Sequence, residues 1–254
     1  MIGEQVNKSA DQHLNEMRLN RSAWEKKALL RRIYREFYCL IAEQLAPDSG
    51  ARTVELGSGI GAIKEVMPEC LITDIFPNAW LDRVEDAYAL TFADASIGNL
   101  ILFDVFHHLE FPGTALNEFA RVLRPGGRVV IFEPGLGALG KLVYKIFHHE
   151  PVAERESIRW FAPNGVDLGN VAYYAAQGNA WRLFVRKELG PVLDEWIIRT
   201  VKPIVSLAYL ASGGFSKPGL YPERMLPLVL TLDRFLSFVP GIFATRLLVV
   251  LERK

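Results

Sequence analysis

Apolar positions along the chain change their period several times. Between Trp24 and about Leu45 they fall at Leu30, Ile33, Phe37, Leu40 and Ile41, a spacing that predicts a helix ended by Pro47, Asp48 and Gly50. The run Thr53–Leu56 is short and apolar and leads into Gly57-Ser58-Gly59-Ile60-Gly61, after which Ala62 to Met67 can open a second helix. Cys70–Asp74 and Asn99–Val105 read as further strands. Helical spacing returns at Ala115, Leu116, Phe119, Ala120, Val122 and Leu123; a turn at Arg124–Gly127 and a strand at Arg128–Glu133 follow. Strands alternating with helices predict an α/β fold, a doubly wound and mostly parallel sheet covered on both faces.

Past Pro134 that rhythm is lost over about 136–192, a length that suggests a functional insertion in a compact domain. The segment is rich in aromatics, including Tyr144, Phe147, Trp160, Phe161, Tyr173, Tyr174, Trp181 and Phe184. A strand is expected around Trp196–Val201, a helix over Leu226–Leu236 and a closing strand at Thr245–Leu251. With no internal repeat or low-complexity linker, the expectation is one domain over 1–254. Within it, 1–48 would be a helical lid, 50–135 the cofactor-binding core, 136–192 an acceptor lid and 193–254 the last strands and helix.

Composition narrows the functional classes. Twenty-nine Lys and Arg balance 29 Asp and Glu, so net charge makes no case for a nucleic-acid partner. Cys39 and Cys70 lack metal-ligand spacing and read as buried thiols of a reducing compartment. The first residues have no apolar core resembling a secretory signal. The greasy stretch Leu226–Leu251 is broken by Asp233, Arg234, Pro240 and Arg246, which argues against a membrane span. A cytoplasmic protein is the expectation.

Candidate chemistry gathers at the glycine-rich turn. In a doubly wound sheet, ligands sit outside the carboxyl ends of the strands, and a turn without Cβ atoms lets backbone approach them. Asp74 ends the next strand 19 residues after Glu55, where an acid can accept hydrogen bonds from ribose hydroxyls. Gly57-x-Gly59-x-x-Ala62 also satisfies a relaxed nicotinamide-dinucleotide pattern, which keeps an oxidoreductase as the alternative. Glu55 favours the other cofactor: a carboxylate repels a pyrophosphate but suits the ammonium and sulfonium of S-adenosylmethionine.

At Val54–Gly61, Asp74, Asp86–Phe92, Leu102–His108 and Val122–Gly127 the chain resembles class I S-adenosylmethionine-dependent methyltransferases, closest to the type 11 methyltransferase domains. The resemblance implies a seven-stranded sheet with an antiparallel last strand. It places Glu55, Gly57 and Gly59 at the methionine part, Asp74 at the ribose, Asp86 and Ala87 at the adenine, and Phe103–His107 on the floor. Ser58, Gly61, Ile75 and Asp104 complete the expected cofactor-binding set. The pair of segments His148–Pro151 and Ser212–Ser216 resembles bacterial methyltransferases linked with surface-polysaccharide or secondary-metabolite pathways. A small-molecule or glycan-like acceptor is therefore expected, methylated on O, N or C. A cofactor-binding scaffold without activity is the third reading.

Catalytic candidates are His107, His108 and Glu133, all beside predicted strand ends. No metal is expected, because adjacent residues such as His148, His149 and Glu150 diverge on a helix. Trp160 and Trp181 are candidates for an acceptor wall. Arg31, Arg32 and Tyr34 lie on the presumed lid, where Arg32 could pair with a cofactor carboxylate or form a solvated basic face.

Overall fold

The computed structural model describes residues 2–47, 50–147, 156–168, 180–188 and 191–254. Seven strands form one sheet in the order β3-β2-β1-β4-β5-β7-β6. They are β1 (Arg52–Leu56), β2 (Leu71–Asp74), β3 (Arg83–Val84), β4 (Ile97–Phe103), β5 (Leu123–Pro134), β6 (Trp196–Val205) and β7 (Ala244–Arg253). The first five run parallel, and β7 lies antiparallel between β5 and β6. The order reverses between β1 and β4, so the switch point of the sheet falls at the glycine turn that follows β1.

Burial explains the layers. All seven residues of β4 are buried, as expected for a central parallel strand covered on both faces. Ile101 and Phe103 point to one face, where Leu30, Ile33, Phe37 and Ile41 of α2 (Ala28–Ala42) meet Val130, Phe132, Leu248 and Val250. Leu100 and Leu102 point to the other, against Ala115, Leu116 and Phe119 of α3 (Pro112–Val122) and Val129, Ile131, Val249 and Leu251. Each helix supplies an apolar stripe at i, i+3, i+4 spacing, and the sheet buries both stripes.

The long α1 (Ile2–Lys26) precedes α2. Beyond β5 come α4 (Ala138–Phe147), a π-helical turn (Trp181–Val185), α5 (Leu207–Ala211), α6 (Leu226–Leu236) and α7 (Pro240–Phe243). No helix of the described residues is long and apolar enough to cross a membrane.

Several local expectations change. The helix expected over Ala62–Met67 is a single 3-10 turn, Ala62–Glu65, because the chain must reach β2 within a few residues. The turn expected at Arg124–Gly127 belongs to β5, where a register shift against β4 absorbs it. Cys39 is exposed on α2, whereas Cys70 is buried. Trp181 is 8% exposed and belongs to the α3-side core with Phe184 and Trp196, so it packs the sheet instead of walling a cleft. Trp160 leans on the same core, and its carbonyl accepts the Gly113 and Thr114 N–H groups at the start of α3. His148–Pro151, Tyr173 and Tyr174 lie outside the described residues.

Candidate functional site

The loop after β1 is held in shape from three sides. Gly57 has φ 65°, and a Cβ there would lie 2.4 Å from Val105 Cγ2, so only glycine fits both the conformation and the space. Ser58 is buried and donates its hydroxyl to the Glu55 carbonyl at 3.0 Å while accepting the Thr73 N–H at 3.0 Å. Its polar atoms staple β1 to β2. Gly59 donates its N–H to Asp74 Oδ2 at 3.2 Å, and its carbonyl accepts the Trp80 indole N–H at 2.7 Å. Gly61 caps the 3-10 turn at φ 70°. The loop is therefore rigid before any ligand arrives.

Glu55 is 1% exposed on β1, facing α2. Tyr38 donates its hydroxyl to Oε1 at 3.1 Å, whereas Oε2 has no partner among the described residues. Burial pushes this carboxyl up to about 8, against the pull of its Ser58 and Tyr38 hydrogen bonds, and the Asp74 charge raises it further. A buried carboxyl with an orphaned oxygen is a receptor for a cation, which matches the ammonium of S-adenosylmethionine and opposes a pyrophosphate. The residues present thus fit that cofactor.

Asp74 closes β2 and is buried. Its Oδ1 accepts the Phe76 N–H at 3.2 Å and lies 3.7 Å from His13 Nε2 on α1, and the His13 ring packs on Phe76 at 4.6 Å. Burial raises its carboxyl, opposed by the His13 charge and by the N–H groups of Phe76, Gly59 and Ile75. A Cβ on Gly59 would meet Met17 Sδ at 3.2 Å, so α1 crosses the glycine loop as well as Asp74. Ile75 is exposed beside them. Asp86 and Ala87 follow β3 at the same sheet end, since Asp74 pairs in register with Val84. Asp86 accepts the Tyr88 N–H at 2.9 Å, and burial raises its carboxyl.

At the end of β4 the chain leaves through Asp104, a non-glycine residue at φ 54°. That bend aims the N–H groups of Val105 and Phe106 at Glu133 Oε1, 2.9 and 2.7 Å away. Glu133, 1% exposed near the end of β5, turns Oε2 to His107 Nδ1 at 2.5 Å. The His108 ring lies 4.0 Å from that of His107. The three catalytic candidates therefore meet at one point. A carboxylate can only accept, so its contact with Glu133 favours the His107 tautomer with the proton on Nδ1.

Asp104 is committed elsewhere. Arg246 of β7 pairs with it, and the guanidinium lies 4.5 Å from the Tyr209 ring centroid and 5.5 Å from that of Phe103, with Phe37 and Phe132 around it. Phe103 stacks on Tyr34 at 5.2 Å. The sequence reading had missed Arg246; its signal was an arginine inside the apolar run Thr245–Leu251. It also missed Tyr38, His13 and Trp80, which no spacing announces. Arg32 pairs with Glu223 at 3.2 Å on an exposed face, and Arg31 donates to the Trp24 and Glu25 carbonyls. Neither helix arginine is turned to the glycine loop by these contacts.

A family model described as a methyltransferase domain matches residues 54–131. Solved structures similar to the chain include a methyltransferase dependent on S-adenosylmethionine from Archaeoglobus fulgidus, at 14% identity and a TM-score of 0.48, covering 88% of this chain and 94% of that one. Another comes from Mesorhizobium loti, at 16% identity and 0.44, covering 84% and 96%. A geranyl diphosphate methyltransferase in complex with S-adenosylmethionine is similar at 13% identity and 0.48, covering 88% and 86%. Residues 54–131, running from β1 into β5, thus match the methyltransferase domain, on a seven-stranded sheet with the antiparallel β7 that the sequence led us to expect.

Proposed function

We propose that the chain transfers a methyl group from S-adenosylmethionine to a hydroxyl of a small or glycan-like acceptor, with His107 as general base. The cofactor supplies an electrophilic methyl on sulfur. Glu55, with its unpartnered Oε2, receives the ammonium end, and Asp74 receives the ribose. Ile75, Asp86 and Ala87 border the adenine end, and Phe103 and Val105 form the floor under the loop.

The observation that carries the reading is the His107–Glu133 contact at 2.5 Å, with Glu133 itself held by two backbone N–H groups. An amine arrives with a lone pair once neutral, whereas a hydroxyl must lose its proton during transfer, so a positioned imidazole matters most for oxygen. His107 Nε2 takes that proton, and Glu133 holds the ring and stabilises the cation formed. His108, packed on the same ring, shields the pair from one side.

The test uses S-adenosylmethionine labelled on the methyl carbon and a panel of sugars, phenols and amines. We expect label on oxygen, with His107→Ala slowing turnover by about 10²–10⁴-fold while S-adenosylhomocysteine still binds. Label on nitrogen or carbon, or full turnover by His107→Ala, rejects the proposal.

A further inference from the structure

The helix α6 is apolar on both sides. Leu226, Val229 and Leu230 face the interior, and buried Asp233 accepts the Leu207 and Ala208 N–H groups at 2.8 and 3.2 Å. On the opposite side Leu228, Leu232 and Phe235 stand in solvent at i, i+4, i+7 spacing, with Leu228 64% and Phe235 71% exposed. The surface continues through Phe238, which is 83% exposed and meets Phe235 edge-on at 6.4 Å, to Val239 and Ile242 of the following turn and α7. Leu142 of α4, a helix packed on α7, is also exposed. So much large apolar surface on one element marks an interaction site.

Charge identifies the occupant. From Glu223 to Arg246 the charged residues are Glu223, Arg224, Asp233, Arg234 and Arg246, and both Asp233 and Arg246 are buried. Glu223 is exposed but paired with Arg32 of α2, which leaves Arg224 and Arg234 as the exposed charges of this stretch with no acidic partner among the described residues. A twofold contact between copies would set this surface against itself, bringing Arg224 and Arg234 together with only Glu223, already paired with Arg32, to answer them. A lipid surface bearing anionic headgroups answers both features: phenylalanine and leucine enter the acyl boundary while arginines meet phosphate.

We infer that the α6–α7 face docks this protein onto an anionic membrane surface, lying in the interface without spanning it. The orientation has a consequence for the catalytic end. The helix α7 runs directly into β7, whose Arg246 pairs in register with Pro134, next to Glu133. Docking through α7 therefore turns the sheet end carrying His107 toward the bilayer.

The test is co-sedimentation of the full chain with vesicles of phosphatidylcholine and phosphatidylglycerol in equal parts, and with phosphatidylcholine alone. We expect binding to the mixed vesicles, weaker binding to the neutral ones, and a loss of about tenfold in partitioning for Phe235→Asp and Phe238→Asp. Melting temperature and S-adenosylhomocysteine affinity should not move, which separates this outcome from failure of the methyl-transfer reading. Should either aspartate variant unfold, Arg234→Glu carries the test, weakening binding to the mixed vesicles alone. Absent binding by the wild type, or wild-type binding by the folded variants, overturns the inference. So does a solution dimer that the aspartate variants dissociate and that does not sediment with vesicles.

Discussion

Tyr38 donates its hydroxyl hydrogen to Oε1 of Glu55 across 3.1 Å, while Oε2 of the same carboxyl has no partner among the described residues. Burial has pushed this group from 4.5 to about 8, so at neutral pH the ligand-free fold retains a proton that the unfolded chain has lost. Its contribution to stability is then full below about 4.5 and fades as pH rises through about 8. A bound ammonium drives that proton off. Calorimetry of S-adenosylhomocysteine binding near pH 7, in buffers of different ionisation heat, should register release of close to one proton. Affinity should rise by nearly tenfold per pH unit below about 8. In Glu55→Gln both effects should vanish. Heats independent of buffer in the wild type would remove Glu55 from the cofactor site.

Glu133→Gln is the sharpest probe of the base. The amide oxygen can still accept the Val105 and Phe106 N–H groups, so the fold is kept. Its NH₂ group, however, would face His107 Nδ1 and move the imidazole proton to Nε2, where no lone pair remains for the acceptor. We expect kcat to fall by about 10²–10⁴ with unchanged KM for S-adenosylmethionine, and Glu133→Asp to recover part of the loss. A raised KM at constant kcat would mean that the residue supports binding only.

Asp74→Asn tests the ribose assignment while sparing the loop. The amide oxygen can still take an N–H from Gly59 or Phe76, but the charge is gone. Charge-assisted hydrogen bonds are each worth about 1.5–3 kcal/mol, so the dissociation constant of S-adenosylhomocysteine should rise about 10–100-fold. Unchanged affinity in the folded variant would place the ribose elsewhere.

Trp181→Ala separates core from cleft. The side chain is buried among Phe184, Trp196 and the α3-side sheet face, so its truncation should cost about 3–5 kcal/mol in denaturant titrations. Molecules that remain folded should bind S-adenosylhomocysteine normally. A stable variant with lost turnover would return Trp181 to the acceptor wall.

What the sequence disclosed divides along physical lines. The continuous apolar run of β4 and the stripe of α2 could be read because burial on two faces or on one leaves a direct periodic trace. The glycine loop was legible for a related reason, since positive φ at Gly57, Gly59 and Gly61 demands that residue type. Contacts across the fold left no such trace. His107 and Glu133 were each placed at a strand end, but their 2.5 Å contact depends on β4 and β5 being neighbours. Arg246 and Asp104 lie 142 positions apart, and nothing local to either reveals the other. The aromatic residues misled because a tryptophan in an irregular segment looks alike whether it fills a core or lines a cleft.

The placement of β7 bears on how the molecule is made. In the finished sheet β6 sits at the edge and pairs with β7, which enters between it and β5. During synthesis the ribosome delivers the end of β6, Val205, 39 residues before β7 begins at Ala244, at roughly 5–20 residues per second. For those seconds β6 has no partner strand, and the exposed edges of β5 and β6 are open to pairing with other chains. Residues 244–253 are thus a locking strand as much as a structural one: the nascent chain can assemble β1, β4 and β5, yet the half of the sheet beyond β5 closes only after they emerge.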